Sequence, residues 1–155
     1  MKFRFPIVII DEDFRSENSS GLGIRAMAQA IESEGFEVVG VTSYGDLSQF
    51  AQQQSRASAF ILSIDDEEFT PGPELDPAVL NLRTFIEEVR RKNTEVPIYI
   101  YGETKTSRHL PNDILRELHG FIHMFEDTPE FVARHIIREA RSYLDGLAPP
   151  FFKAL

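Results

Sequence analysis

The chain has 155 residues, is 42% hydrophobic and contains 13 phenylalanines, which is enough apolar material for one domain with a single core. It has no cysteine, which excludes disulfides, thiolate catalysis and cysteine-based zinc sites. The formal net charge of −9 argues against nucleic acid or an anionic membrane as the main partner, because both attract clustered Lys and Arg. No apolar stretch approaches transmembrane length, so we expect a soluble cytoplasmic protein.

The acidic residues are concentrated in the first half of the chain. Residues 1 to 74 carry 13 acidic and 5 basic side chains, a net charge of −8, whereas residues 75 to 155 carry 12 and 11, a net charge of −1. Two segments stand out: VIIDED, from Val8 to Asp13, and FILSIDDEE, from Phe60 to Glu68. In each, an apolar run is followed directly by carboxylates, which is the pattern of a buried strand with an acidic end.

Five short runs rich in β-branched and aromatic residues predict β-strands. They span Phe5 to Ile10, Phe36 to Val41, Ala59 to Ile64, Pro97 to Tyr101 and Gly120 to Met124. Amphipathic segments between them predict helices. Because such segments connect successive strands, the connections are crossovers, and we expect a parallel sheet with helices on both faces.

The predicted helices carry apolar stripes and recognisable end signals. The stripes are Ile24, Met27, Ala28 and Ile31; then Val79, Leu82, Phe85, Ile86 and Val89; and finally Val132, Ile136, Ala140, Tyr143 and Leu147. The first stripe is followed by Gly35 at a C-terminal cap position. Pro77 and Pro129 stand at the first helical positions of the other two. A shorter helix is predicted from Asp46 to Ser55.

This order of elements predicts an α/β three-layer sandwich, flavodoxin-like or response-regulator-receiver-like, with a five-stranded parallel sheet in the order 2-1-3-4-5. In that order the switch point lies between strands 1 and 3, where this architecture binds ligands. Asp11, Glu12 and Asp13 follow strand 1, and Asp65 follows strand 3. We therefore expect these four carboxylates to meet at the carboxyl edge of the sheet.

The acidic edge is a weak candidate for a metal site. Mg²⁺ and Ca²⁺ prefer oxygen ligands, so Asp11, Glu12, Asp13 and Asp65 could attract a divalent cation. The alternative is a solvated acidic rim at a strand edge, which needs no ligand. We predict no dedicated metal site here.

Phosphoryl transfer to an aspartate requires more than carboxylates. Receivers supply a hydroxyl after strand 4 and a lysine at the end of strand 5, which meet the charge on the phosphoryl oxygens. Here Gly102 occupies the place of the hydroxyl, with Thr104 close behind, and Met124 occupies the place of the lysine. When FILSIDD is aligned with the third strand of receivers, Ile64, rather than Asp65, falls at the position of the aspartate that accepts the phosphoryl group. We therefore expect no phosphorylation.

Three other motifs have structural interpretations. SSGLG, from Ser19 to Gly23, lacks the spacing of a phosphate-binding loop and is interpreted as a helix start. HGFIH places His119 at a helix end and His123 in a strand, not on one helical face for a metal. Lys105 lies in a polar loop. The sequence thus predicts no catalytic residue and no cofactor-binding residue of its own.

The last residues, LAPPFFKAL from Leu147 to Leu155, suggest a chain that continues into another domain, because apolar residues follow a Pro-Pro break. The segment resembles the junction that closes the N-terminal domain of the bacterial inducible ornithine, lysine and arginine decarboxylases. There a Pro-Pro pair is followed by a segment ending in Lys-Ala-Leu. The matching residues are Pro149, Pro150, Lys153, Ala154 and Leu155.

The resemblance implies a domain organisation and a function. In that family a receiver-like wing domain precedes a PLP-dependent fold-type-I core, and the protein forms dimers that can group into decamers. Residues 1–148 would then be a non-catalytic assembly and regulatory domain, and residues 149–155 would begin the linker to the core. Decarboxylation of lysine, arginine or ornithine, and PLP itself, would belong to the parent protein. The alternative is a stand-alone pseudo-receiver that signals by protein–protein contact.

Overall fold

The computed structural model describes residues 5–43, 57–64, 77–92, 95–102, 110–123 and 126–147. Its elements follow the order β1 (Ile7–Ile10), α1 (Ser19–Ser33), β2 (Val38–Val41), β3 (Ala59–Ser63), α2 (Pro77–Lys92), β4 (Ile98–Gly102), α3 (Asn112–Leu115), β5 (Gly120–His123) and α4 (Pro129–Leu147). The predicted helix from Asp46 to Ser55 lies outside these ranges. None of the described helices combines the length and apolar character needed to cross a membrane.

The five strands form one parallel sheet in the order β2-β1-β3-β4-β5, as predicted. The central strand β1 pairs on both sides: Ile10 is in register with Val41 of β2 and with Leu62 of β3. All four residues of β1 are buried. A parallel strand covered by helices on both faces needs apolar side chains in both directions, which explains the uninterrupted run IVII.

Two hydrophobic layers lie on opposite faces of the sheet. Ile7 and Ile9 of β1 point into the first layer, with α1 and α4, whereas Val8 and Ile10 point into the second, with α2 and α3. This division follows from the alternation of side chains along a strand. Val132, Ile136 and Ala140 of the predicted α4 stripe are confirmed in the first layer, where Ile136 is completely buried, and Tyr143 packs against them partly buried.

The predicted helix ends are confirmed where the structure describes them. Gly35 follows α1 with a φ of 98°, the left-handed conformation that glycine adopts without a steric penalty. Helices α2 and α4 begin at Pro77 and Pro129. Several predicted strand boundaries are off by one or two residues. The largest differences are at the starts of β1 and β2, which begin at Ile7 and Val38, and Phe36 instead packs into the first layer ahead of β2.

Candidate functional site

The carboxyl edge of the sheet brings Asp11 next to Ser63. Because Ile10 is in register with Leu62, the residues that follow them lie side by side. The Ser63 hydroxyl donates a hydrogen bond to Asp11 Oδ2 over 2.9 Å, and the backbone N–H of Asp13 donates to Asp11 Oδ1 over 2.8 Å. Each carboxylate oxygen of Asp11 therefore already accepts a hydrogen bond from within the chain.

Burial governs the chemistry of this carboxylate. Only 3% of Asp11 is exposed. Burial raises the pKa of Asp11, the hydrogen bonds from Asp13 and Ser63 lower it in part, and the charge of Asp13 raises it further. Burial also raises the pKa of the nearby Tyr101 to about 12, with a smaller contribution from Asp11. The phenol therefore stays neutral at physiological pH.

The loop that follows Asp11 is held to the start of α1 by side-chain hydrogen bonds. Asn18 caps the helix, accepting at Oδ1 from the Gly21 N–H over 2.8 Å, and its Nδ2 donates to Asp13 Oδ1 over 3.3 Å. The Nη1 of Arg25 donates to the carbonyl oxygens of Phe14 and Ser16, each over 2.7 Å. These contacts fix the loop onto the helix that follows it.

Two glycines allow this loop to approach its neighbours closely. A Cβ at Gly21 would lie 2.2 Å from the carbonyl oxygen of Ser16, and one at Gly40 would lie 2.3 Å from a ring carbon of Phe14. The loop backbone therefore packs directly on α1, and its phenylalanine packs directly on β2. The interpretation of SSGLG as a helix start is confirmed, and Gly21 has a specific steric role within it.

The four predicted edge carboxylates have different outcomes. Asp11 is buried and hydrogen-bonded, whereas Glu12 and Asp13 lie in the turn after β1. Asp65 lies outside the described residues, so its meeting with Asp11 stays a prediction. Within the described ranges, no group of three or more His, Asp or Glu side chains is arranged to hold a metal ion. Weak cation binding at this edge likewise stays a prediction.

The structure describes two of the residues at the predicted phosphotransfer positions, Ile64 and Gly102. Ile64, at the acceptor position, is 5% exposed, and its N–H donates to the carbonyl oxygen of Tyr101 over 3.3 Å. Gly102 is buried at the end of β4, in register with His123 of β5. Thr104 and Met124 lie outside the described residues.

Ser63, Arg25 and the capping residue Asn18 are site residues that the sequence did not single out. Ser63 is the single polar residue in the run FILSI, and a polar residue at the end of a buried strand is a usable signal. Arg25 gives no comparable signal, because its partners are backbone carbonyls of an irregular loop. Together these contacts stabilise the carboxyl edge of the sheet through hydrogen bonds within the chain.

Comparison with known proteins shows the family. Residues 19–143 match the family model described as Orn/Lys/Arg decarboxylase, N-terminal domain. The chain belongs to this family. As a member of the decarboxylase N-terminal domain family, it is 28% identical over 155 residues to lysine decarboxylase LdcA of Pseudomonas aeruginosa, covering 98% of this chain and 20% of the relative. It is 25% identical over 151 residues to the biodegradative arginine decarboxylase of Escherichia coli K12, covering 96% of this chain and 19% of that protein.

Solved structures agree with both the family and the fold. The structure of lysine decarboxylase A from P. aeruginosa superposes with a TM-score of 0.83 at 28% identity, over 99% of this chain and 20% of the other. A CheY-like response-regulator receiver from Methanospirillum hungatei superposes with a TM-score of 0.60 at 13% identity, over 90% of this chain and 95% of the receiver. The second likeness shows the receiver fold alone. The chain spans about a fifth of the decarboxylases it matches.

Proposed function

We propose that this chain is the wing domain of a PLP-dependent decarboxylase of lysine, arginine or ornithine, and that it serves assembly and regulation, not catalysis. The observation that carries the proposal is the match of residues 19–143 to the N-terminal domain of that family. The whole-chain similarity to a lysine and an arginine decarboxylase, each about five times longer, supports it. Residues 1–148 would form the domain, and residues 149–155 would begin the linker to the catalytic core.

In this proposal PLP binds in a part of the parent protein outside this chain. The chain has four lysines, at positions 2, 92, 105 and 153. Of these, only Lys92 lies in the described ranges, where it is exposed at the end of α2. A Schiff-base lysine needs a shielded site that lowers its pKa. In this proposal the chain contributes contacts between subunits and no step of the decarboxylation.

The proposal is tested by comparing the natural full-length protein with a variant that lacks residues 1–148. We expect the reading frame to continue beyond Leu155 into a PLP-binding region. Both proteins should show the absorbance of bound PLP and release CO₂ from one of the three basic amino acids. The shortened variant should form smaller assemblies in sedimentation velocity and light scattering.

Two results would contradict the proposal. A reading frame that stops directly after Leu155 would leave the stand-alone pseudo-receiver as the better hypothesis. A shortened variant with bound PLP and unchanged assembly, but without CO₂ release, would place catalytic groups in this domain. The absorbance of PLP shows that the core has folded, so that loss of activity is not confused with misfolding.

A further inference from the structure

A groove lies on the outside of the first layer, where α4 passes the C-terminal end of α1. Its volume is about 360 Å³. Arg134, Arg138 and Arg141 of α4 line it, with Ser142 beside them. Ile137, which is 3% exposed, contributes an apolar side chain. We call this feature the arginine groove.

The three arginines share one side of α4 because they are spaced by four and three residues. Such a spacing places successive side chains about one helical turn apart. Three guanidinium groups therefore line a single short groove. Their concentration contrasts with the chain as a whole, whose formal net charge is −9.

The guanidinium groups use few of their hydrogen-bond donors within the chain. Arg134 Nε lies 3.4 Å from the carbonyl oxygen of Glu130, and one Arg138 nitrogen lies 3.2 Å from His135 Nδ1. Arg138 Nε also lies 3.9 Å from Glu139 Oε1. Arg141 makes no hydrogen bond or ion pair with any residue in the described ranges. A guanidinium has five donors, so most of them remain available to a ligand.

Two carboxylates also line the groove and narrow the choice of ligand. Glu34, at the C-terminal cap of α1, and Asp145 of α4 face the same space. Within the described residues, neither forms an ion pair with a groove arginine. The three arginines and two carboxylates give the lining a net charge of +1. It suits a ligand that places anionic groups on the arginines and a neutral or cationic group toward the carboxylates.

We propose that the arginine groove binds a small molecule carrying at least two negative charges, as phosphate or carboxylate groups. Planar guanidinium forks bind both kinds of oxyanion through paired hydrogen bonds. The Ser142 hydroxyl adds a donor, and the volume is that of a metabolite-sized site. The proposal goes beyond the assembly function and does not depend on it, because the groove lies within this chain.

The test titrates the 155-residue chain at low ionic strength with inorganic pyrophosphate and, separately, with succinate, by isothermal calorimetry and by NMR of the arginine side chains. We expect saturable binding of one molecule per chain by at least one probe. The stronger probe distinguishes a phosphate ligand from a dicarboxylate. Arg138→Gln and Arg141→Gln should each weaken binding about tenfold or more, because each removes charged hydrogen bonds. Added salt should weaken it further.

A matched control is Arg91→Gln, because Arg91 is exposed near the end of α2 on the opposite face of the sheet. This variant should bind the probe as the parent chain does. Absence of saturable binding by both probes would overturn the proposal, as would equal weakening by Arg91→Gln. A third contrary result is that the groove variants lower the melting temperature without any probe binding. The arginines would then only offset the negative C-terminal end of α1.

Discussion

The two ends of the layer formed by α1 and α4 use their charged side chains in opposite ways. At the carboxyl edge, Asp11 is buried and accepts hydrogen bonds at both oxygens, and Arg25 is bound to two loop carbonyls. In the arginine groove at the other end, Arg141 has no partner in the described part of the chain. The difference lies in how the charges are used: the buried carboxylate of Asp11 is engaged within the chain, whereas the arginine groove is the site at which we propose that a ligand binds.

The largest effect is expected at Ile136, because both ends rest on the hydrophobic layer in which it is buried. Ile136→Asp loses about 1.5–3 kcal/mol of apolar burial and adds the cost of a buried, unpaired carboxylate. Against a typical stability of about 5–15 kcal/mol, we expect the cooperative thermal transition to disappear in circular dichroism.

The matched control is Phe131→Asp on the same helix, since Phe131 is 67% exposed. Its free energy of unfolding should stay within about 0.5 kcal/mol of the parent chain. If Ile136→Asp melts as the parent chain does, the placement of α4 on the sheet is wrong, and the comparison of the two ends loses its common scaffold.

A smaller effect on stability is expected at Gly21, whose lack of a side chain lets the loop that follows Asp11 pack against α1. Gly21→Ala places a methyl group 2.2 Å from the carbonyl oxygen of Ser16 and should cost about 1–3 kcal/mol in denaturant unfolding. Gly146→Ala in α4 is the control, because nothing lies within 4 Å of a Cβ there. That variant should be neutral or more stable by up to about 1 kcal/mol. Equal stability of the two variants would show that the loop is not packed on α1.

The hydrogen bond between Ser63 and Asp11 should have a measurable pH signature. Because the folded-state pKa of Asp11 is raised above 3.8, its contribution to stability is fully present below that pH and is lost as the pH rises through the folded value. Ser63→Ala removes a bond that lowers this pKa, so it should extend the loss to higher pH and cost about 1 kcal/mol.

The measurement is the free energy of unfolding in urea of the parent chain, Ser63→Ala and Asp11→Asn, from below pH 3.8 to neutral pH. Asp11→Asn has no carboxyl group at this position and should lack this component of the pH dependence. If all three proteins follow the same pH profile, Asp11 is not the buried, titrating group described above.

The smallest effect on stability is expected in the arginine groove. Arg141 is exposed on α4, and glutamine has a helix propensity close to that of arginine. Arg141→Gln should therefore change the free energy of unfolding by no more than about 0.5 kcal/mol, measured by urea denaturation. A loss comparable with that of Gly21→Ala would show that this arginine is structural, and the two ends would no longer differ.

Much of the fold could be predicted from local patterns. The apolar runs and helical stripes determine the alternation of elements, and Gly35, Pro77 and Pro129 indicate helix ends through their own backbone constraints. The short helix α3 was not singled out, because four residues carry no periodic stripe. Phe36 is apolar enough to extend a predicted strand, yet it packs into the core before β2 begins.

The site was less accessible to sequence reasoning because its contacts join distant residues. The bond between Ser63 and Asp11 spans 52 positions and depends on the pairing of Ile10 with Leu62. The arginine groove depends on α4 passing Glu34 at the end of α1, about a hundred residues earlier. The sequence of α4 gives the spacing of the three arginines, but it does not show that Glu34 at the end of α1 lines the groove with them.

We propose that this receiver fold serves a decarboxylase N-terminal domain and does not take part in phosphotransfer. The direct measurement is the intact mass of the chain after incubation with acetyl phosphate and Mg²⁺. A phosphoryl group at the acidic edge would lack the hydroxyl and the lysine that offset its charge, and one such group is typically worth a factor of about 100 to 1,000 in rate. We predict an unchanged mass. Stoichiometric addition of one phosphoryl group that disappears in Asp65→Asn would contradict the account.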